Sequence, residues 1–571
     1  MKNGKGSAGV WRGLTSIAAS LTAICFGATS IINTNAAFLN TRLGTSNYIA
    51  VDTSNGEDVD ATYFKSEFDS IADLIDAKNA LAEEIAEEGT TLLKNENSAL
   101  PLDISSETVT LWGLNSHNPT LGGMIGSSVA INADAGQVAW SLEDALTEKG
   151  YTLNQDMIKL YAGDNASAYA RKNGHGLTPS FGKMYENPAS YNVGEAPASI
   201  YTDAVLSSAD DTAALVVISR DSSEAADYHP EMTNGTEGDS FERPLALSEY
   251  EKAMIELAKE HSTKVIILLN ANNPIEIEDL KNDTDIDAIV WAGEPGANGF
   301  LGLADVLAGE NNPSGHLPDT YAVNSASAPA MVNYGVYFYT NASNQSGAEL
   351  TEDNKGDWFI VESEGIYTGY KYYETRYEDS ILGQGNADAA DGAFAGSSWV
   401  YEDEVSYPFG YGISYTTFEQ TLDSVECEIG GEGKATVTIE NTGDVAGKGV
   451  AQLYVQAPYT EGGLEKSAIQ FIGFAKTGLL EPGASETVEI TFDPTYFASY
   501  DETAEKADGT VGAWVLENGD YYFAIGNGAH EALNNVLAAK TGDDSNVILW
   551  SSLACISLFG MMTLVRKRIE A

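Results

Sequence analysis

The sequence predicts an α/β domain on a mostly parallel sheet, then an all-β sandwich, with an apolar segment at each chain end. Three observations lead there. Short apolar, β-branched runs alternate with helical patterns through residues 80–330, as in sheets covered on both faces. From 413 to 530 the pattern changes to strict alternation punctuated by turn residues. A chain of 571 residues is also too long for one hydrophobic core. The expected partition is a signal or membrane segment at 1–45, the α/β domain at 80–330, an extended connector at 331–412, the sandwich at 413–530 and an apolar tail at 541–571.

In chain order, Lys2, Lys5 and Arg12 precede an apolar stretch from Gly13 to Phe38, which reads as an export signal or an uncleaved anchor. Residues 46–70 are polar and acidic, a linker. Ile71, Leu74, Ile75, Leu81, Ala82 and Ile85 recur at helical spacing and predict a helix to Gly89, its stripe interrupted by Lys78. Strands are expected at Thr90–Lys94 and Val109–Trp112, the second leading into a glycine-containing turn at 121–127. Helices follow at Gln137–Lys149 and Ile158–Lys172, and a Gly-, Pro-, Ser- and Tyr-rich loop at 173–200.

The run Ala213–Ile218 reads as a buried strand entering the acidic loop 219–228. A helix over Ser248–Lys259, strands Lys264–Leu269 and Ile286–Trp291, and a helix Phe300–Ala308 complete the α/β pattern. In such sheets functional groups collect beyond the carboxyl ends of the strands. Residues 325–400 lose regular pattern. Strands then return at 434–439, 449–455, 486–492, 513–516 and 519–525. The tail Val547–Val565 is long enough to span a bilayer and ends in Arg566-Lys-Arg568, a cytoplasmic flank. Lys540-Thr-Gly-Asp543 before it resembles a Gram-positive sorting signal without its Leu-Pro.

Composition narrows the partners. With 84 acidic against 30 basic residues the net charge is −54, which repels nucleic acid and anionic membrane surfaces. A neutral ligand suits that field better. No spaced acidic calcium loop is present, so the acids read as a solvated surface. Of Cys25, Cys427 and Cys555, only Cys427 lies in the body of the chain, leaving no disulfide framework and no cysteine metal cluster. His117, His175 and His229 lack metal-ligand spacing, and Ser127 has no visible triad partners. No cofactor and no metal are expected.

Several ordered motifs together resemble glycoside hydrolase family 3. They are Glu88-Gly-Thr-Thr-Leu-Leu-Lys-Asn-Glu96 with Leu100-Pro-Leu102, Asn312-Pro-Ser-Gly-His-Leu-Pro318, Glu364-Gly-Ile-Tyr-Thr-Gly-Tyr-Lys-Tyr-Tyr-Glu374 and Tyr407-Pro-Phe-Gly-Tyr-Gly-Ile-Ser-Tyr415. The resemblance covers about residues 80–535 and implies an α/β-sandwich domain, a fibronectin type III-like domain and β-glucosidase chemistry. In that family a general acid/base Glu stands in a Ser-Gly-Glu-Gly-x-Asp loop. Ser222-Ser-Glu-Ala-Ala-Asp227 is similar, with Ser223 and Ala225 replacing the glycines, and carries the role to Glu224. Asp227 and Trp112 are the candidate substrate contacts. A retaining glycosidase also needs a nucleophilic carboxylate, which the family places on a (β/α)8 barrel. No repeated strand–helix series of that length occurs here, so the expectation is a separate barrel-bearing chain as partner, or a shortened form of a longer enzyme. Asp221, Asp227 and Glu231 share the loop, where neighbouring carboxylates tune an acid or face solvent. The resulting expectation is an exported, surface-anchored glycosidase acting on β-glycosides, in a Gram-positive-type bacterium. The alternative is an inactive carbohydrate-binding or scaffolding module.

Overall fold

The computed structural model describes residues 5–34, 67–122, 139–171, 190–221, 228, 232–332, 362, 364–383, 387, 399–428, 430–506, 508–541 and 547–550. Residues up to Ile71 and from Ala72 onward form two units. In the first, helix α1 (Lys5–Thr34) contains a span, Gly9–Thr29, long and apolar enough to cross a membrane, with none of it buried.

The second unit begins along α2 (Ile71–Gly89) and continues into a six-stranded sheet. Its strands are β1 (Thr91–Asn95), β2 (Thr108–Trp112), β3 (Thr152–Leu153), β4 (Thr212–Arg220), β5 (Ser262–Ala271) and β6 (Ala288–Trp291). Their spatial order is β1-β6-β5-β4-β2-β3. Five strands run parallel and β1 is antiparallel on β6. Among its helices are α3 (Leu142–Glu148), α4 (Gln155–Tyr161), α5 (Glu249–His261) and α6 (Gly299–Ala308).

Alternate residues of each central strand enter different cores. Ala214, Val216 and Ile218 join Val265, Ile267 and Leu269 on one face. Ala213, Leu215 and Val217 join Ile266 and Leu268 on the other. Strands buried on both faces therefore read as continuous apolar runs, the signal seen in the sequence. From β2 the chain crosses to β3 on one side and returns to β4 on the other, so the strand order reverses between β2 and β4. A ligand crevice is expected above the carboxyl ends at such a reversal.

Helix α2 has the expected bounds but a different inward face. Leu74, Leu81 and Ile85 are exposed. The reason is the close approach of α6: a Cβ on Gly302 would stand 2.4 Å from Glu83 O, and one on Gly299 would stand 3.0 Å from Ala86 Cβ. The Asn79, Glu83 and Ala86 side of α2 thus faces α6, and Asn79 accepts a hydrogen bond from Asn298.

Within the expected connector stands a helix, α7 (Tyr370–Leu382). Its buried residues are Tyr372, Tyr373, Glu374, Thr375, Arg376, Glu378 and Asp379. Tyr401 Oη donates to Glu374 and Gln456 Nε2 donates to Glu378, while Arg376 lies over Trp399. A helix that buries tyrosines and charges shows no apolar stripe, which hides it from periodicity.

The sandwich comprises β7 (Phe418–Glu426), β8 (Gly433–Asn441) and β11 (Ser485–Phe492) in one sheet. The other holds β9 (Val450–Gln456), β10 (Gln470–Lys476), β14 (Tyr521–Ile525) and β15 (Val547–Trp550). Val437, Ile439, Leu453, Val455, Ile490 and Phe523 fill the space between them. A separate hairpin joins β12 (Ser499–Glu505) to β13 (Val511–Val515). After β14 a helix, α8 (Ala529–Thr541), carries Lys540 and Thr541 of the sorting-like motif. Of the expected C-terminal span, Val547–Trp550 is a strand on the open edge of β14. Residues 551–571 lie outside the described residues, as do 35–66.

The motifs that carry the family resemblance converge where the two domains meet. Ile413 N–H donates to Leu92 O, and Leu317 and Tyr411 are joined backbone to backbone. Ser414 Oγ and Tyr415 N–H both donate to Asn312 Oδ1. Glu88 pairs with Lys448 and Lys476 of the sandwich. His316, whose Nδ1 lies 2.7 Å from Gly410 O, is pulled down to about 4 by burial.

Candidate active-site crevice

Above the reversal between β2 and β4, the chain leaves β2 through Gly113, whose φ is 88°. That left-handed conformation suits glycine, and a Cβ there would sit 3.0 Å from Val217 O. Gly113 N–H donates to Tyr161 Oη at 2.9 Å, and Tyr161 Oη lies 2.9 Å from Tyr201 Oη. The next N–H, Leu114, donates to both oxygens of Glu195 at 3.1 and 3.0 Å, and Ala196 N–H donates to its Oε1 at 2.8 Å. Glu195 has no exposed surface. Loss of water pushes its carboxyl up to about 8, and the two amides pull the other way. Its carboxyl stands at the residue that follows the carboxyl end of β2, beside the strand-order reversal. Asn115 Oδ1 and Ser116 Oγ, buried one turn on, have no hydrogen-bond partner among the described residues.

The β4 end is held just as firmly. Arg220 has no exposed surface, and all five guanidinium N–H groups are used. Two go to the Glu251 carboxylate at 2.7 and 2.8 Å, and the others to Pro244 O, Ser219 O and Ala246 O. Glu251 also accepts from Ser248 N–H, whose hydroxyl in turn accepts from Glu251 N–H, a capping box that starts α5. The next residue, Asp221, accepts from Tyr191 Oη at 3.0 Å, and its carbonyl accepts from Tyr228 Oη at 2.6 Å. The Tyr191 and Tyr228 rings meet edge to face at 5.0 Å. Arg171 completes this wall, donating to Ser219 Oγ and Asn118 O with its Nε 3.9 Å from Asp221. From β5, buried Asn270 ties Thr120 to Gly293.

Glu224 and Asp227 lie outside the described residues, as do Glu231, His175, His229 and Ser127. Their loop, 222–227, is bracketed by Asp221 and Tyr228, both in place. Trp112 lies wholly in the core, 5.7 Å from the Tyr201 ring, so its indole offers no open face to a sugar. Trp291 packs against the core and donates to Ala271 O, as expected of a strand end. His117 stands 3.9 Å from Glu143. Sequence reasoning missed Glu195, Arg171, Tyr191 and Asn270. The one available signal was Asn192-Val-Gly-Glu-Ala196, an acid flanked by small and apolar residues inside a long loop.

Glu83, Glu87 and Asp305 place carboxylate oxygens within 4.8 Å of one another, away from this crevice. Lys149 Nζ sits 2.6 Å from both Glu83 and Asp305, so two of the three carboxylates are already paired with an ammonium.

A family profile described as the glycosyl hydrolase family 3 C-terminal domain matches residues 90–415, more than half of the chain. A fibronectin type III-like profile matches residues 449–529. Among similar proteins, a β-glucosidase of Ruminococcus albus is 29% identical over 483 residues, covering 84% of this chain and 43% of its own length. Beta-glucosidase A of Butyrivibrio fibrisolvens is 32% identical over 299 residues, covering 50% of this chain and 30% of its own length. The chain therefore spans less than half the length of these relatives. The solved β-glucosidase 3B of Thermotoga neapolitana with α-D-glucose superposes with TM-score 0.57 at 27% identity, over 80% of this chain and 53% of that one. A β-glucosidase structure from Paenibacillus barengoltzii gives 0.57 at 27% identity, over 79% and 42%.

Proposed function

Because the chain belongs to glycosyl hydrolase family 3, we propose that it supplies the general acid/base half of a retaining β-glucosidase site. Glu224 is the acid/base, and Asp227 contacts the sugar. The observation that carries this reading is the anchoring of the loop that bears them. Its two ends are clamped at a strand-order reversal by Tyr191, Arg171 and Tyr228, with Arg220 locked beneath. A buried, fully bonded base lets a short loop hold one carboxyl where a leaving-group oxygen must be protonated. Asp221 and Arg171 sit within that base and set its charge.

We place the attacking carboxylate on a (β/α)8 barrel, a fold not found among the described residues, with a separate barrel-bearing chain as its proposed source. The apolar span in α1 serves as signal or anchor and takes the protein out of the cell. The test uses the full chain in non-ionic detergent with an aryl β-glucoside, alone and with a barrel-bearing chain encoded beside it. Glu224→Gln should lower turnover by about 10²–10⁴-fold. Equal rates for wild type and Glu224→Gln would sink the assignment. No turnover in either arm, with sugar binding kept, would favour the binding-module reading.

A further inference from the structure

The hairpin β12–β13 carries an aromatic cluster that the core does not use. Tyr500 and Trp514 are directly opposed across its two strands, with ring centroids 5.4 Å apart and planes at 69°. Trp514 is 69% exposed and Tyr500 53%. Tyr496, in the short turn that leads into β12, is 60% exposed. Beneath that turn Phe497 is buried against Phe492, Tyr521 and Phe523, so the foot of the hairpin is fixed in the sandwich core. Gly512, with φ at +93°, clears the space that the Tyr500 phenol occupies: a Cβ there would lie 2.3 Å from Tyr500 Oη. Tyr500 lies along the hairpin and props the indole edge to face. Trp514 packs against Tyr500 on one side and is open to solvent over most of its surface.

Cross-strand aromatic pairs do stabilise hairpins, and a two-stranded hairpin needs such help. That role is met by contact between the rings and does not require the larger ring to stand mostly in water. Clustered exposed aromatics are what a surface presents to a partner. The surrounding charge selects among partners. Asp501, Glu502, Glu505 and Asp508 flank the rings, with Lys506 the one cation on the hairpin. Anionic membranes and anionic polymers are repelled by that field, whereas an uncharged sugar ring stacks its C–H face on an indole without regard to it.

We propose that the Tyr500–Trp514 hairpin is a non-catalytic docking site for a neutral β-linked glucan chain, holding polysaccharide beside the anchored protein. The choice of glucan rests on the glycosidase reading above; the site itself rests on the rings and charges of the hairpin. The experiment is native affinity electrophoresis of the full chain in non-ionic detergent, through gels with and without mixed-linkage β-glucan. Wild type should be retarded, equally at low and at about 0.5 M salt. Trp514→Val keeps a strand-forming residue and should weaken retardation by about tenfold or more, while Trp514→Phe should weaken it less. Hydrolysis of an aryl glucoside by the same variants should stay at the wild-type level. No retardation of wild type, equal retardation of Trp514→Val with an unchanged melting profile, or salt-sensitive retention would each overturn the proposal. So would capture by anionic lipid vesicles in place of glucan. If Glu224→Gln remains active yet glucan retardation depends on Trp514, the acid/base reading fails and the docking site stands.

Discussion

Replacing Glu195 with glutamine should flatten the dependence of stability on pH between about 6 and 9. The carboxyl lies beneath the end of β2 with no exposed surface, and burial pushes it up to about 8 from an ordinary 4.5. The folded protein therefore binds a proton over a range where the unfolded chain has released it. Stability is complete below the unfolded value and is lost as pH rises through the folded one. The full shift corresponds to roughly 5 kcal/mol, of which about half falls away between pH 6 and 9. Glutamine keeps an oxygen for Leu114 and Ala196 N–H and cannot ionise, so the variant should lose none of that increment. Urea unfolding of both proteins at several pH values reads the difference directly, since other titrating groups act alike in both. Parallel curves for wild type and Glu195→Gln would refute the reasoning. They would mean that the two amides, not burial, decide the ionisation.

Two further predictions follow from buried contacts. Arg220→Met leaves Glu251 buried without its cation and should cost about 3–5 kcal/mol in urea unfolding, and adding Glu251→Gln should recover at least about 1 kcal/mol of it. Gly315→Ala drives a Cβ to 2.3 Å from Gly89 O at the domain junction and should destabilise by about 1–3 kcal/mol or more, read as a lower melting temperature. Gly89→Ala is the control: nothing lies within 4 Å of its Cβ position, so it should be neutral or slightly stabilising.

Much of the fold was legible because burial and periodicity coincide. Thr212–Arg220 and Ser262–Ala271 are apolar on both faces, and such runs announce a covered parallel sheet. Helix α5 was legible at its start, where Ser248 is the cap, and runs two residues past the expected end at Lys259 to His261. Helix α7 was hidden, since Tyr372, Glu374, Arg376 and Asp379 are buried by pairing rather than by apolar character. The inward face of α2 was misread for a related reason. Two glycines of α6 set how closely the helices approach, and no pattern within α2 records that.

The site divides in the same way. An acidic loop after a buried strand was visible as a motif, because ligand loops at strand ends are local in sequence. Its anchoring was not, because Tyr191 and Arg171 reach its start across 30 and 48 positions of chain, and hydrogen bonds over such spans leave no spacing to count. By itself the amino-acid order determined the layer architecture, the two domains, the acidic field and the family motifs, all of which follow from local propensity, hydrophobic period and composition. Only the tertiary structure decided that those motifs meet at the domain junction, that Trp112 is core, and that the Glu195 carboxyl is cut off from water. Those outcomes depend on desolvation and on contacts between distant segments, quantities that exist only once the chain has closed on itself.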